Sequence, residues 1–242
     1  MRYIFSLSFL LLIFSANAQQ VYETPPGTIK INDTLFIDKA PVDNKMYLEF
    51  MVKVKSLWNY DLQDTLRELS LEEIDESIIS NSVNNQQNEE ILRMITSVEN
   101  IKISDSVNMA YYFNHPEFQH HPMVGVSKEQ AQLFCDWRTD MVNLRWGTEI
   151  KENNNNYMKI KHRLPTDQDF DLAAKIFREN EKIVFSDQAS LEKINLKIRK
   201  EKEVFFLFDI PEFKNSESDS VLIEESEKYA FKFFRCVCEV EK

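Results

Sequence analysis

The chain has few of the residue types on which catalytic chemistry usually depends. Its 242 residues include only 3 Cys, 4 His and 3 Gly. It has neither a Ser/His/Asp signature of nucleophilic hydrolases nor a Gly-rich phosphate-binding signature. Hydrolytic and nucleotide-dependent functions therefore have no motif to support them.

Positive charge is also scarce. The chain has 29 Lys and Arg against 40 Asp and Glu, which gives a formal net charge of −11. Because nucleic acids and anionic membranes attract basic surfaces, an acidic chain without a basic stripe argues against both as partners. By contrast, a hydrophobic fraction of 43% and 18 Phe are sufficient for a sizeable core.

The N-terminus has the pattern of a secretory signal peptide. Arg2 gives it a positive start, residues 4–14 are apolar except for two serines, and a small-x-small tripeptide follows at 16–18. This pattern predicts cleavage before Gln19. No Cys follows the cut, which argues against a lipoprotein, and the apolar run is shorter than the roughly 20 residues that span a bilayer.

The predicted organisation is a signal peptide at 1–18 and a single domain at 19–242. The mature chain of 224 residues, 242 less the 18 of the signal, fits one large domain or two small ones, and the sequence has no internal repeat and no flexible linker that would mark a boundary. No later segment is apolar enough to span a membrane, so we expect an exported protein of the periplasm or cell surface.

The three cysteines lie in an oxidising compartment if the protein is exported. Cys135 is on a predicted helix, whereas Cys236 and Cys238 are on the predicted last strand. A bridge between that helix and that strand is the natural pairing, and either strand cysteine could form it because both point the same way. The third cysteine is then left over, free, reactive or paired with another chain.

Local patterns predict a small hairpin at 25–38 and then a helix capped by Asp43 or Asn44. Residues 60–106 are rich in charged residues and have a pattern typical of helices, and Ser70 with Glu73 forms a predicted capping box. We interpret this segment as a helical pair inserted on the surface, and a partner-binding arm is the alternative.

Two further helices have clear starts. Ser127 with Gln130, and Thr166 with Asp169, have the spacing of capping boxes. The last strand is predicted over 229–240, with its cysteines on one face.

Three groups of residues lie in the order and spacing of a known family. They are His121-Pro122-Met123-Val124-Gly125-Val126-Ser127 running on to Phe134-Cys135-Asp136-Trp137-Arg138; Arg163-Leu164-Pro165-Thr166 with Phe170 and Ala173-Ala174; and Phe234-Arg235-Cys236. Together they resemble the formylglycine-generating enzyme (sulfatase-modifying factor) family, with this chain as a divergent bacterial member.

The resemblance implies an α+β fold, the formylglycine-generating-enzyme variant of the C-type-lectin-like type, with short strands and two main helices. Within that fold the family pairs the cysteine of the first long helix with the cysteine of the terminal Phe-Arg-Cys. Carried over, the implied disulfide joins Cys135 and Cys236, and Cys238 is a possible free thiol.

The resemblance also shows what is missing. Enzymes of this family oxidise a substrate cysteine to formylglycine with copper held by two thiolates, a ligand type that suits this soft ion. Their cysteines lie upstream of the terminal motif, where residues 175–230 of this chain contain no Cys, Gly, Trp or His. We therefore assign no catalytic residue and no cofactor, and consider an enzyme the less favoured reading.

Other candidate sites are weak. His115, His120 and His121 with Glu117 could suggest a metal site, but two His-Pro steps indicate extended chain. Cys236-x-Cys238 could be a redox pair, although one structural cysteine plus a spare is the simpler interpretation. The spacing of acids at 167–171 imitates a calcium loop but lacks its Gly and terminal Glu. We assign no metal.

The sequence therefore predicts an exported, non-catalytic scaffold or binding module with a protein partner in the cell envelope. Divergent relatives occur in bacterial envelope machines of the gliding-motility and type IX secretion kind, an analogy of fold alone. The first alternative is a formylglycine-generating or related oxidase with a site rebuilt around Cys236 and Cys238. The second is a binder of small ligands or carbohydrates.

Overall fold

The computed structural model describes residues 24–81, 85–96, 109–149, 159–186, 202–207, 212–215 and 232–241. The predicted signal peptide lies outside these residues and remains a prediction. The elements are β1 (Thr28–Lys30), β2 (Leu35–Asp38), α1 (Asn44–Ser56), α2 (Tyr60–Glu68), α3 (Glu76–Asn81), α4 (Asn85–Ile95), α5 (Met109–Asn114), a 3-10 turn (Pro116–Phe118), α6 (Lys128–Glu149), β3 (Lys159–Arg163), α7 (Asp167–Glu179), β4 (Ile183–Ser186), β5 (Glu203–Phe206) and β6 (Val237–Glu241).

The central element is an antiparallel sheet in the order β1-β2-β6-β3, so the C-terminal strand lies inside it. The expected α+β class is confirmed. The predicted hairpin is also confirmed, since β1 and β2 pair antiparallel. The last strand begins at Val237 rather than near residue 229, because residues 232–236 make other contacts and residues 229–231 lie outside the described part.

The sheet separates two apolar layers. Phe36, Cys238 and Val240 belong to the large cluster that contains residues of α1 and α6. On the opposite face, Val237 joins the smaller cluster formed with α7 and β5. Because side chains alternate along a strand, Cys236 and Cys238 lie on the α6 side together, as predicted.

Side chains of α6 occupy the outer edge of β3. The amide of Asn143 donates to the carbonyl of Ile160 (2.8 Å) and its oxygen accepts from the N–H of the same residue (3.0 Å). The Thr139 hydroxyl accepts from the N–H of His162 at 2.7 Å. These bonds satisfy backbone groups that a further strand would otherwise pair, and they fix α6 against the sheet.

The helix starts follow local sequence. Asp43 caps α1 by accepting from the N–H of Met46, and the predicted capping boxes are present at α6 (Ser127 and Gln130) and at α7. The prediction at Ser70 is wrong: both its N–H and its hydroxyl donate to Glu73, which closes a turn, and α3 begins only at Glu76.

The predicted surface position of 60–106 needs correction too. Inner positions of α2 and α4, namely Leu62, Leu66, Ile91 and Ile95, are buried in the main core. Gly147 of α6 allows a close approach here, because a Cβ atom on it would lie 2.4 Å from Cβ of Ile74. The helices therefore form part of the core, although residues 82–84 and 97–106 lie outside the described part.

Candidate functional site

The three cysteines form a buried group that we term the thiol cluster, comprising Cys135, Cys236 and Cys238. All three are thiols in the structure and have 0% exposure. The sulfur atoms of Cys135 and Cys236 are 3.0 Å apart, so the residues of the predicted disulfide face each other. The disulfide itself stays a prediction. Cys238, the possible free thiol, lies next to them but is equally inaccessible.

Burial makes these thiols poor nucleophiles. It is the main cause that raises the pKa of Cys135 well above its usual value, and the hydrogen bond with Cys236 adds to it. Burial also raises the pKa of Cys238. Because the thiolate is the nucleophile and the metal ligand, the raised pKa values of Cys135 and Cys238 make both thiols less reactive in this fold.

An ion pair lies beside the thiol cluster. One carboxylate oxygen of Asp38 accepts from the Arg138 guanidinium at 2.6 Å and from the N–H of Cys236 at 2.8 Å. Arg138 also donates to the carbonyl of Pro26 at 2.9 Å. Burial opposes its charge, but the Asp38 carboxylate holds the pKa of Arg138 above its ordinary value. The pair thus joins β2, α6 and the residues before β6.

Arg235 makes a second buried ion pair. Its guanidinium binds both carboxylate oxygens of Glu212 at 2.7 Å and donates to the carbonyls of Asp38 and Phe206. It also lies over the Phe205 ring, 4.6 Å from the centroid. The terminal Phe-Arg-Cys motif therefore orders the fold, with Arg235 as the contact between several separate segments.

His162 is the buried histidine of this region. It pairs in register with Cys238 across β3 and β6, so both side chains lie on the same face of the sheet. Among the described residues neither ring nitrogen has a hydrogen-bond partner. Burial, and then the nearby Arg138 charge, lower the pKa of His162 well below its usual value, so the ring is neutral.

The remaining histidines do not converge. His115 accepts from the N–H of Glu117 and stacks on Tyr111, whereas His120 binds the Asp43 carboxylate at 3.0 Å. His121 packs edge-on against Phe118. Within the described ranges no group of three or more His, Cys, Asp or Glu could hold a metal ion.

Two of the three acids of the calcium-like segment, Asp167 and Asp169, have structural partners. Asp169 accepts from the N–H and hydroxyl of Thr166 and pairs with Arg163 at 2.6 Å. Asp167 contacts Lys214. These contacts agree with the helix-start interpretation of the acids.

The described part of the chain has an accessible concave site, a groove between α1 and α6 with a volume of about 670 Å³. It is lined by Pro26, Gly27, Asp38, Lys39, Ala40, Pro41, Asp43, Met46, Glu49, Lys53, Leu57, Ile79, Phe134, Trp137, Arg138, Met141, Val142, Leu144, Arg145, Trp146 and Thr148. These described lining residues include no cysteine and no histidine. Apolar and aromatic lining with a few charges is typical of ligand sites of this size.

Sequence reasoning missed this groove and the ion pairs around it. Asp38 and Arg138 are 100 positions apart, so no local spacing could reveal their contact. Two residues gave a weak signal in the sequence. Asp38 ends the predicted hairpin, and Arg138 ends the motif around Cys135.

Comparison with protein families matches residues 12–206 to the family described as "Sulfatase-modifying factor enzyme 1-like domain". The match covers most of the chain and ends before the Phe234-Arg235-Cys236 motif. The α+β architecture with short strands fits that family's variant of the C-type-lectin-like fold. Neither a curated protein nor a solved structure shows significant similarity to the chain.

Proposed function

The chain belongs to the sulfatase-modifying factor enzyme 1-like family, and on that premise we propose that it is a non-catalytic member that acts as a binding module. The observation that carries the proposal is the burial of every thiol: the chain has 3 Cys, and each has 0% exposure. A protein that keeps the family fold but has no accessible thiol lacks the means for thiol chemistry, whereas its surface can still bind a partner.

Copper chemistry of the family type requires two thiolates that a metal ion and a substrate can reach. Cys135 and Cys236 face each other inside the core, and burial raises the pKa of Cys135. Cys238 is equally buried, which disfavours an oxidase rebuilt around it. The described residues thus bring no open pair of sulfur ligands together.

The groove between α1 and α6 is the proposed binding surface. Two tryptophans, Trp137 and Trp146, and two flexible methionines, Met46 and Met141, line it, and such side chains suit an apolar segment of a protein partner. We further propose that the partner belongs to the cell envelope of a bacterium, on the basis of the signal-like N-terminus. A gliding-motility or type IX secretion assembly is the fold-level analogue.

The catalytic part of the proposal is tested with a sulfatase-type peptide containing the target cysteine. Purified protein is incubated with oxygen and reductant, with and without copper(I), and the peptide is examined by mass spectrometry for formylglycine. We expect no conversion in either condition. Turnover that Cys238→Ser abolishes would favour the rebuilt oxidase instead.

The binding part is tested by cross-linking to envelope proteins followed by mass spectrometry. Met141→Glu places a charge in the groove, whereas the matched control Leu172→Glu places one on an exposed position of α7. We expect the first change to remove the specific cross-links and the second to keep them. Equal cross-linking by both variants would exclude the groove as the binding surface.

A small ligand is the second candidate occupant, because the groove volume of about 670 Å³ falls within the range of small-molecule sites. A glycan array and a small-molecule thermal-shift screen distinguish this candidate from a protein partner. Binding that Met141→Glu removes and Leu172→Glu keeps would support it.

A further inference from the structure

The corner between α1 and α2 forms a hydrogen bond with a buried carboxylate of α6, in addition to its packing in the main core. We use "the corner" for residues 57–59, which join the two helices. Oδ2 of Asp140 on α6 accepts from the indole N–H of Trp58 at 2.7 Å. Trp58 is 0% exposed and Asp140 is 2% exposed. The neighbouring Asn59 caps α2 by accepting from the N–H of Leu62, so the corner also sets the start of that helix.

The carboxylate of Asp140 lacks the compensation that Asp38 receives. No ion pair to Asp140 occurs within the described part of the chain. The Arg67 guanidinium on α2 acts on it from a distance but is mostly exposed and lies 4.0 Å from Asp64. Asp136, one turn away on α6, adds a charge of the same sign.

Other titratable groups near the contact between α2 and α6 affect the pKa of Asp136 and of Tyr60 rather than that of Asp140. Lys161 of β3 lies near Asp136, and Glu90 of α4 and Asp136 both act on Tyr60 of α2. Because a buried, unpaired charge is costly, the neutral acid is the form that fits this packing.

We propose that Asp140 and the corner form a pH-sensitive joint, in which ionisation of Asp140 favours an open form with the corner and the start of α2 released from α6. Asp140 is only 2% exposed and accepts from Trp58 of the corner, so movement of the corner would bring water to the carboxylate. The joint does not rest on the groove binding any ligand, so failure of the proposed function leaves it standing.

The direction of the effect follows from the carboxyl pKa. Burial raises the pKa of Asp140 from 3.8 to about 7, against the opposing hydrogen bond from Trp58. A raised pKa in the closed form means that its stabilisation is fully present below about 4 and is lost as the pH rises through 7. The ratio of open to closed form therefore rises about tenfold per pH unit in this window.

Hydrogen exchange of the full chain, followed by mass spectrometry from pH 5 to pH 8, tests the joint. After correction for intrinsic exchange, protection of amides in residues 57–66 should fall about 100-fold from pH 5 to pH 7 and change little above that. Asp140→Asn retains an acceptor for Trp58 and should remove this dependence. Asp61→Asn, an exposed carboxylate on α2, should leave it unchanged.

A pH-independent protection in the native sequence, or the same slope in Asp140→Asn, would overturn the proposal. Infrared titration of the native protein keeps the test decisive if that variant fails to fold. A protonated carboxyl band that disappears near pH 7 is the expected result, and the absence of any carboxyl titrating there would refute the joint.

Discussion

The Asp38–Arg138 ion pair lies between the thiol cluster and the α1–α6 groove, but the two regions differ in accessibility and in chemistry. The cluster holds every sulfur nucleophile of the chain and has 0% exposure. The groove is open and mostly apolar, and its described lining contains neither cysteine nor histidine. The thiols and the accessible groove are thus separate in the described part of the chain, which is the arrangement that the proposed binding function predicts.

The largest effect should come from breaking the ion pair at the terminal motif. Arg235→Ala leaves Glu212 buried and uncompensated, which typically costs about 3–5 kcal/mol of unfolding free energy. Urea denaturation measures the loss. Lys30→Ala is the control, because its pair with Asp33 is exposed and such pairs contribute about 0–1 kcal/mol. A similar small loss for both variants would mean that Arg235 does not hold the motif in place.

The next effect concerns the predicted disulfide. Under oxidising conditions Cys135→Ser should lower the unfolding free energy by about 2–5 kcal/mol, and the difference should vanish in reductant. Non-reducing peptide mapping should find Cys135 joined to Cys236 and Cys238 free. A bridge from Cys135 to Cys238 would show that the family pairing does not transfer to this chain.

A moderate effect should appear on acidification. Burial lowers the folded-state pKa of His162, so its contribution to stability is present above about 6.5 and declines as the pH falls below that value, by up to about 1.4 kcal/mol per pH unit. His162→Leu should remove this loss between pH 7 and pH 5, as measured by urea denaturation at each pH. If the His162→Leu variant loses as much unfolding free energy between pH 7 and pH 5 as the native protein, His162 is not the source of the loss.

The smallest effect on stability is expected at the groove rim. Lys53 and Glu49 lie on α1 and line the groove, and changing either to Ala should alter the unfolding free energy by less than about 0.5 kcal/mol. The same changes should alter the affinity for the groove ligand, measured by calorimetry once the ligand is identified. A large loss of unfolding free energy with unchanged affinity would mean that these residues stabilise the fold and do not bind the ligand.

Local signals in the sequence were sufficient for much of the fold. Ser127 with Gln130 and Thr166 with Asp169 predict helix starts because the contacts span only three residues. The same spacing fails at Ser70, where a turn uses the same kind of side-chain contact. A contact between residues three positions apart therefore fixes one turn of the backbone, and tertiary packing decides whether a helix continues from that turn.

The site depended on contacts that a sequence pattern does not contain. Burial of Leu66 and Ile91 places the charged segment partly in the core, although its composition resembles a surface. Asp140 acquires its distinctive environment from Trp58, which is 82 positions away. Such environments arise from tertiary packing, so only the folded chain reveals them.

Alkylation of the native, fully reduced protein tests the separation of thiols and groove most directly. Pulse labelling with a small maleimide, read by intact mass, should modify none of the three cysteines before unfolding, because all have 0% exposure. Labelling should then follow the unfolding rate measured in parallel. Modification of Cys238 much faster than unfolding would contradict the account, since a reachable thiol would restore the possibility of chemistry at this site.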